Sequence, residues 1–288
     1  MRTKMPYGTG WFSKAESYKY SNLIYFNLQQ IAESGQAFRF MELEHNSKET
    51  FHYCVVSMEK YAELIQQENT LEILTKPEWI DFWEDYLALS ETNIYTELES
   101  KILSSSDKIL QQGLQYAKGI RILHQNPFET TVSFMLSSAN SIHNIKLYLS
   151  RFCKRYGHFE IFNIDGYQIS YWTFPTLKQL QGSVTEQDLR SLGFGFRAKN
   201  IYDFIKNAEN LNLSYSTDLL SVTGIGEKIK DCILLYSNKD YDKVPMDVWM
   251  KRAKEQFYGT KDFPWQEFKP YRGICQIYLY HYSRNNKF

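Results

Sequence analysis

Lys228 and Asp247 are the residues whose types and placement could do covalent chemistry. They lie nineteen positions apart (247 − 228) in the stretch Leu219–Trp249, LLSVTGIGEKIKDCILLYSNKDYDKVPMDVW. Thr223-Gly224-Ile225-Gly226 separates two apolar helical patterns, with Leu219, Leu220 and Val222 before it and Ile229, Cys232, Ile233 and Leu235 after it. Glycines in such a turn admit positive φ and leave backbone N–H groups uncovered. Two short helices joined this way can grip a phosphate without reading sequence. Lys228 falls in the first turn of the second helix, where the positive end of the macrodipole disfavours another positive charge. A lysine so placed is expected to lose its proton more readily than a surface lysine, as a nucleophilic amine requires. Asp247 stands between Pro245-Met246 and Val-Trp-Met-Lys-Arg, the pattern of an N-cap. A G-x-G turn alone is usually only a turn, and a lysine at a helix start is usually solvated. The combination of hairpin, lysine and capping aspartate is what points to chemistry.

The elements that must position these residues fall into two kinds. Residues 1–19 lack periodicity and read as an N-terminal arm. From Tyr20 to about Lys60, YSNLIYFNL, AFRFMELE and TFHYCVVSM alternate aromatic and β-branched residues, broken by Ser-Gly and by Glu-His-Asn-Ser, which predicts an antiparallel sheet. Helical spacing begins near Pro77 and continues through almost all of the remaining chain, punctuated by Gly157, Gly166, Pro175, Gly182 and Gly193. Ser104–Asp107 caps one helix and Asn126-Pro127-Phe128 opens another, with proline early in the helix, where its missing N–H is harmless. Pro264 and Pro270 bracket a turn before a helix over Gly273–Arg284. The fold class is therefore α+β: a sheet domain with flanking helices over 20–115, then helical domains over 116–288, with the hairpin at about 219–235.

A chain of 288 residues with 43% hydrophobic and 16% aromatic content can bury a substantial core. No long apolar run or signal-peptide pattern is present, so a soluble protein of the cytoplasm is expected, with no membrane partner. Cys54, Cys153, Cys232 and Cys275 are scattered without a C-x-x-C pair, against a zinc knuckle, a disulfide framework or a four-cysteine iron–sulfur cluster. Net charge is zero, but its distribution is uneven. Residues 1–100 carry 8 basic and 16 acidic side chains (−8), residues 101–196 carry 10 and 6 (+4), and residues 197–288 carry 15 and 11 (+4). The C-terminal two-thirds is the expected phosphate-facing part.

Gly224-Ile225-Gly226-Glu227-Lys228-Ile229-Lys230-Asp231-Cys232 and Val244-Pro245-Met246-Asp247-Val248 resemble the helix-hairpin-helix and Gly/Pro-Asp loop of a DNA glycosylase superfamily. More narrowly, they resemble the 8-oxoguanine DNA glycosylase/AP lyase family. The likeness extends to Ser34-Gly35-Gln36-Ala37-Phe38-Arg39-Phe40, Asn126-Pro127-Phe128-Glu129, Leu192–Ala198 and Cys275-Gln276, from about Tyr20 to Arg284. It implies an N-terminal sheet domain and two helical domains flanking a cleft, and excision of 8-oxoguanine from duplex DNA followed by strand nicking. On this resemblance Lys228 is the nucleophile and Asp247 the carboxylate that stabilises positive charge at the sugar. Gly35 offers a backbone carbonyl to N7, Gln276 reads the Watson–Crick edge, and Tyr280 and Cys232 pack on the two faces of the flipped base. Phe196 would wedge into the base stack. Arg197 would donate to the widowed base, with Asn140, Gly224, Gly226 and Trp249 as further DNA contacts. The carbonyls of Leu220, Val222 and Ile225 match a monovalent-cation site, and no cofactor is required. The expected partner is double-stranded DNA containing an oxidised purine, bound by a monomer, with nucleoid association if the source is bacterial.

The departures are specific. Where animal-type members carry Asn-Asn-Asn-Ile-Ala-Arg after two serines, this chain has Ala139-Asn140-Ser141-Ile142-His143-Asn144. The asparagine that fills the vacated base position is Ala139, and the arginine that reads the opposite cytosine is Asn144. Trp249 replaces a histidine. Two alternatives compete: a monofunctional alkylpurine glycosylase, which keeps the aspartate but lacks the lysine, and a non-catalytic hairpin module, which needs neither.

Overall fold

A computed structural model describes residues 15–43, 50–164, 167–259 and 261–286, with the backbone alone of 2–4. The Glu-His-Asn-Ser break, Gly166 and most of the expected arm lie outside the described residues. The chain is α+β, and it divides into two compact units built from interleaved stretches. One holds residues 1–23, 38–84 and 135–211; the other holds 24–37, 85–134 and 212–288.

The first unit carries the sheets. Strands β1 (Arg2–Lys4), β2 (Glu16–Tyr20), β3 (Phe40–Glu42), β4 (Thr50–Ser57), β5 (Lys60–Gln67), β6 (Thr70–Thr75), β7 (Phe159–Ile164) and β8 (Tyr167–Trp172) form two antiparallel sheets. Their orders are β2-β6-β5-β4-β3 and β1-β8-β7. The sheets share a core in which the Tyr61 ring lies 5.2 Å from both Phe162 and Tyr171. Two expectations need correction. Residues 20–28 are not a strand: β2 ends at Tyr20, Asn22 and Tyr25 take positive φ, and Asn27 caps a helix over Leu28–Glu33 by accepting from Gln30 N at 2.9 Å. The stretch read as almost wholly helical contains the β7–β8 hairpin, whose Phe162, Ile164, Ile169 and Tyr171 are the buried members of a period-2 pattern.

The second unit is helical, and its centre is the helix Arg272–Asn285, buried from Gly273 to Leu279. The helix Lys108–Tyr116 lies against it at Gly113, where an added Cβ would stand 3.4 Å from the Tyr278 backbone. As expected, Asp107 caps Lys108–Tyr116, accepting from Leu110 N at 2.9 Å, and its carboxylate also accepts from Tyr258 and Trp265. Asn126 caps Pro127–Leu136 through Phe128 N at 2.9 Å. Among the described residues no helix is long and apolar enough to cross a membrane.

One contact positions the chemistry directly. The loop from Tyr241 to Asp247 is seated on the start of Arg272–Asn285. Arg272 holds Asp242 with paired bonds of 2.7 and 2.5 Å, and Gly273 N donates to the Tyr241 carbonyl at 2.6 Å. A Cβ on Gly273 would meet the Lys243 carbonyl oxygen at 2.5 Å. Gly273→Ala is therefore expected to destabilise the protein by about 1–3 kcal/mol through overpacking against backbone. An unchanged thermal midpoint would show that the loop is not seated there.

Candidate active site

The Val222–Gly226 turn is built by two backbone bonds, Val222 N to Leu219 O at 3.2 Å and Ile225 N to Val222 O at 3.0 Å, with Gly224 at φ +94°. Ile225 is buried beneath it, while a Cβ on Gly226 would meet nothing within 4 Å. Gly226 is the extended N-cap of the helix Glu227–Ser237, with no side-chain cap, so its first-turn N–H groups have no side-chain acceptor from that position. Lys228 occupies that first turn, with its Nζ 5.2 Å from the centre of the Phe134 ring. Cys232 and Tyr236 follow at intervals of four on the same face. Burial pushes the Cys232 thiol up to about 11, opposed by the charge of Lys228. Tyr236 is buried and stacks on Phe134 at 5.5 Å and 16°.

Asp247 is an N-cap, as its flanking sequence predicts: its Oδ1 accepts from Met250 N at 2.9 Å and opens the helix Val248–Tyr258. Gln276 and Tyr280 project one turn apart from Arg272–Asn285. Burial pushes the Tyr280 hydroxyl up to about 12. Gly35 sits just past Leu28–Glu33 at φ +81°, a conformation that suits glycine and turns the peptide out of the helical path.

These residues converge. Lys228, Asp247, Gly35, Cys232, Gln276 and Tyr280 all line one open pocket, entirely within the second unit. Ser34, Phe134, Tyr236 and Pro245 line it too. Of these, Tyr236 had a readable signal in its spacing from Lys228 and Cys232; Phe134 had none.

Gln276 is the most telling member. It is 3% exposed; among the described residues its Nε2 has only a long 3.4 Å contact to the Pro245 carbonyl and its Oε1 has no hydrogen-bond partner. A buried, unmatched acceptor costs stability. It makes physical sense where a ligand donor completes it.

The remaining predicted residues lie elsewhere. Phe196, Arg197 and Asn140 belong to the first unit. Phe196 is 62% exposed at the start of the helix Arg197–Asn207. The Arg197 guanidinium packs on the Phe196 ring at 4.3 Å and donates to the carbonyls of Ser138 (2.6 Å, from Nε) and Ala139 (2.8 Å). Ala139 itself holds φ +47°, a region in which asparagine is far commoner than alanine. Asn140 Nδ2 donates to Leu136 O at 3.1 Å. In the second unit, Trp249 is 41% exposed with the Arg252 guanidinium 5.5 Å from its ring centre, and Leu220 is exposed at the end of the helix Ser216–Ser221.

The chain is similar to known proteins in sequence and in fold. Residues 20–131 match the family model for the N-terminal domain of 8-oxoguanine DNA glycosylase. In sequence and in fold the chain is similar to 8-oxoguanine DNA glycosylases. It is 29% identical to an N-glycosylase/DNA lyase of Saccharomyces cerevisiae over 84% of this chain and 72% of that protein. It is 24% identical to a probable N-glycosylase/DNA lyase of Methanothermobacter thermautotrophicus, over 91% and 94% of the two chains. Its fold matches the 8-oxoguanine glycosylase/lyase of Clostridium acetobutylicum, solved with double-stranded DNA containing cytosine opposite 8-oxoguanine. That match has a TM-score of 0.84 at 28% identity, covering 95% of this chain and 98% of that one.

Because Gln276 holds an acceptor without a partner among the described residues, Gln276→Leu is expected to leave stability unchanged or raise it by up to about 1–3 kcal/mol, read as an unchanged or higher thermal midpoint. A large fall on thermal denaturation would mean that the amide is structurally engaged.

Proposed function

We propose that this protein is a bifunctional base-excision enzyme that flips 8-oxoguanine out of duplex DNA, cuts its glycosidic bond through Lys228 and nicks the strand by β-elimination. The observation that carries this reading is the convergence of an amine, a carboxylate and an unmatched polar acceptor in one pocket. The unprotonated Lys228 amine forms a bond to C1′ as the C1′–N9 bond breaks, the base leaving with the electron pair. Asp247, fixed by its capping bond to Met250 N, stabilises the positive charge that develops at the sugar. The adduct opens to a Schiff base. Loss of a C2′ proton then expels the 3′ phosphate, and water later releases Lys228.

Base choice follows from the same pocket. 8-Oxoguanine carries a proton at N7, where guanine carries a lone pair. The carbonyl of Gly35 accepts from the lesion and repels guanine, a difference of about 1–3 kcal/mol for one buried polar contact. Gln276 Oε1 suits the N1 and N2 donors of the Watson–Crick edge, while Tyr280 and Cys232 pack on the faces of the base. Phe196, exposed and backed by Arg197, is suited to fill the stack. Asn140, Gly224, Gly226 and Trp249 are the further duplex contacts. Leu220, Val222 and Ile225 fit a monovalent cation: Leu220 lies in the last turn of a helix, where carbonyls lack intrahelical donors, and Val222 O keeps one lone pair beside its bond from Ile225 N. Such an ion would add positive charge beside a DNA phosphate. The protein would act on chromosomal DNA in the cytoplasm, nucleoid-associated if bacterial.

Two measurements test the reading. Borohydride trapping on an 8-oxoguanine duplex is expected to give a covalent adduct. Lys228→Gln should abolish that adduct and lower excision on the order of a thousandfold or more. Absence of an adduct with intact Lys228 would sink the mechanism.

The second measurement is excision opposite each of the four bases. Ala139 and Asn144 supply neither of the animal-type side chains, and the Arg197 donors are held by carbonyls. Discrimination is expected to stay below about tenfold, less than a base-edge reader supplies. Ala139→Asn should be tolerated at φ +47° and should sharpen the preference for cytosine. A strong cytosine preference in the unsubstituted protein would defeat this account.

A further inference from the structure

The Gly35 carbonyl can discriminate by one hydrogen bond only if its direction is held. Glycine is the residue least able to hold it, since both signs of φ are open to it. Gln36, the next residue, provides the restraint. It is 0% exposed and does not itself line the pocket. Its Nε2 donates to the Arg121 carbonyl at 2.8 Å and to Ser34 Oγ at 3.0 Å. Its Oε1 accepts from Leu123 N at 2.8 Å. Its own carbonyl accepts from Gln125 Nε2 at 2.8 Å. Ser34, on the other side of Gly35, is anchored by Oγ donating to Ile31 O at 2.8 Å. Gln125 also reaches the opposite wall, donating its backbone N–H to the Tyr236 carbonyl at 2.8 Å.

We propose that Gln36 is a positioning residue that fixes the Gly35 carbonyl and thereby sets the discrimination between 8-oxoguanine and guanine; this rests on the function proposed above. Gln36 reaches no substrate atom. It acts by removing the rotational freedom of the peptide that does.

The test separates base recognition from sugar chemistry. Single-turnover excision of 8-oxoguanine is measured beside nicking of a preformed abasic site in the same duplex. The abasic site has no base, so its cleavage uses Lys228 without using Gly35. Gln36→Leu is expected to lower excision about tenfold to a hundredfold while abasic nicking is unchanged. Gln125→Met, at a half-buried position, removes the tether on the Gln36 carbonyl and should give the same split to a smaller degree. It decides alone if Gln36→Leu does not fold. A parallel fall of both activities, or no change in either, overturns the proposal. If the unsubstituted protein nicks abasic sites but leaves 8-oxoguanine in place, the substrate reading fails and this inference with it.

Discussion

The extended segment Ile120–Gln125 contributes no side chain to the candidate active site, yet its polar groups hold the parts of that site together. Ile122 N donates to the Tyr95 hydroxyl, Leu123 N to Gln36, His124 N to Tyr86 and Gln125 N to Tyr236. The Arg121 side chain is fully buried and donates to the carbonyls of Ile24 and Tyr25 at 2.9 and 2.8 Å, and to Ala88 and Thr92. A buried guanidinium is tolerable only when its donors are all matched. Burial accordingly lowers its proton affinity. The segment behaves as a frame: turn on one side, lysine helix on the other, with each bond inside protein where losing one exposes an unmatched group.

In the frame the backbone N–H groups from Ile122 to Gln125 and the Arg121 donors are matched. At the pocket wall, Gln276 Oε1 is left without a partner among the described residues, and Cys232 and Tyr236 are forced toward their neutral forms by burial. The same division appears in the loop to Asp247, which is pinned at Asp242 and Gly273 but ends in an open pocket.

Lys228 and Asp247 were legible from the hairpin turn and the capping pattern, whereas Gly35, Gln276, Tyr280 and Cys232 stood out only through the family resemblance. Lys228 and Cys232 share a helix face, Gln276 and Tyr280 share another, Asp247 announces itself as a cap, and Gly35 sits in a Ser-Gly turn. What joins them was not legible. Gln36 meets Leu123 across 87 positions, and no periodicity encodes such a bond. The β7–β8 hairpin was hidden for a different reason. Its strands are short, and glycine punctuation suits a helix end as well as a turn. The supposed strand at 20–28 failed because Asn27 competes for the backbone, and a cap of that kind outweighs an aromatic run.

The seat that Gly273 provides for the 241–247 loop bears on how the protein is made. Gly35 leaves the ribosome well before its pocket partners Gln276 and Tyr280, which lie more than two hundred positions later (276 − 35 = 241). The carboxylate of Asp247 is translated before them and still has no surface to rest on until Gly273 arrives. A nascent chain stalled before that point holds Lys228, Asp247 and the turn as separate pieces, and the pocket closes only once Gln276 and Tyr280 have followed.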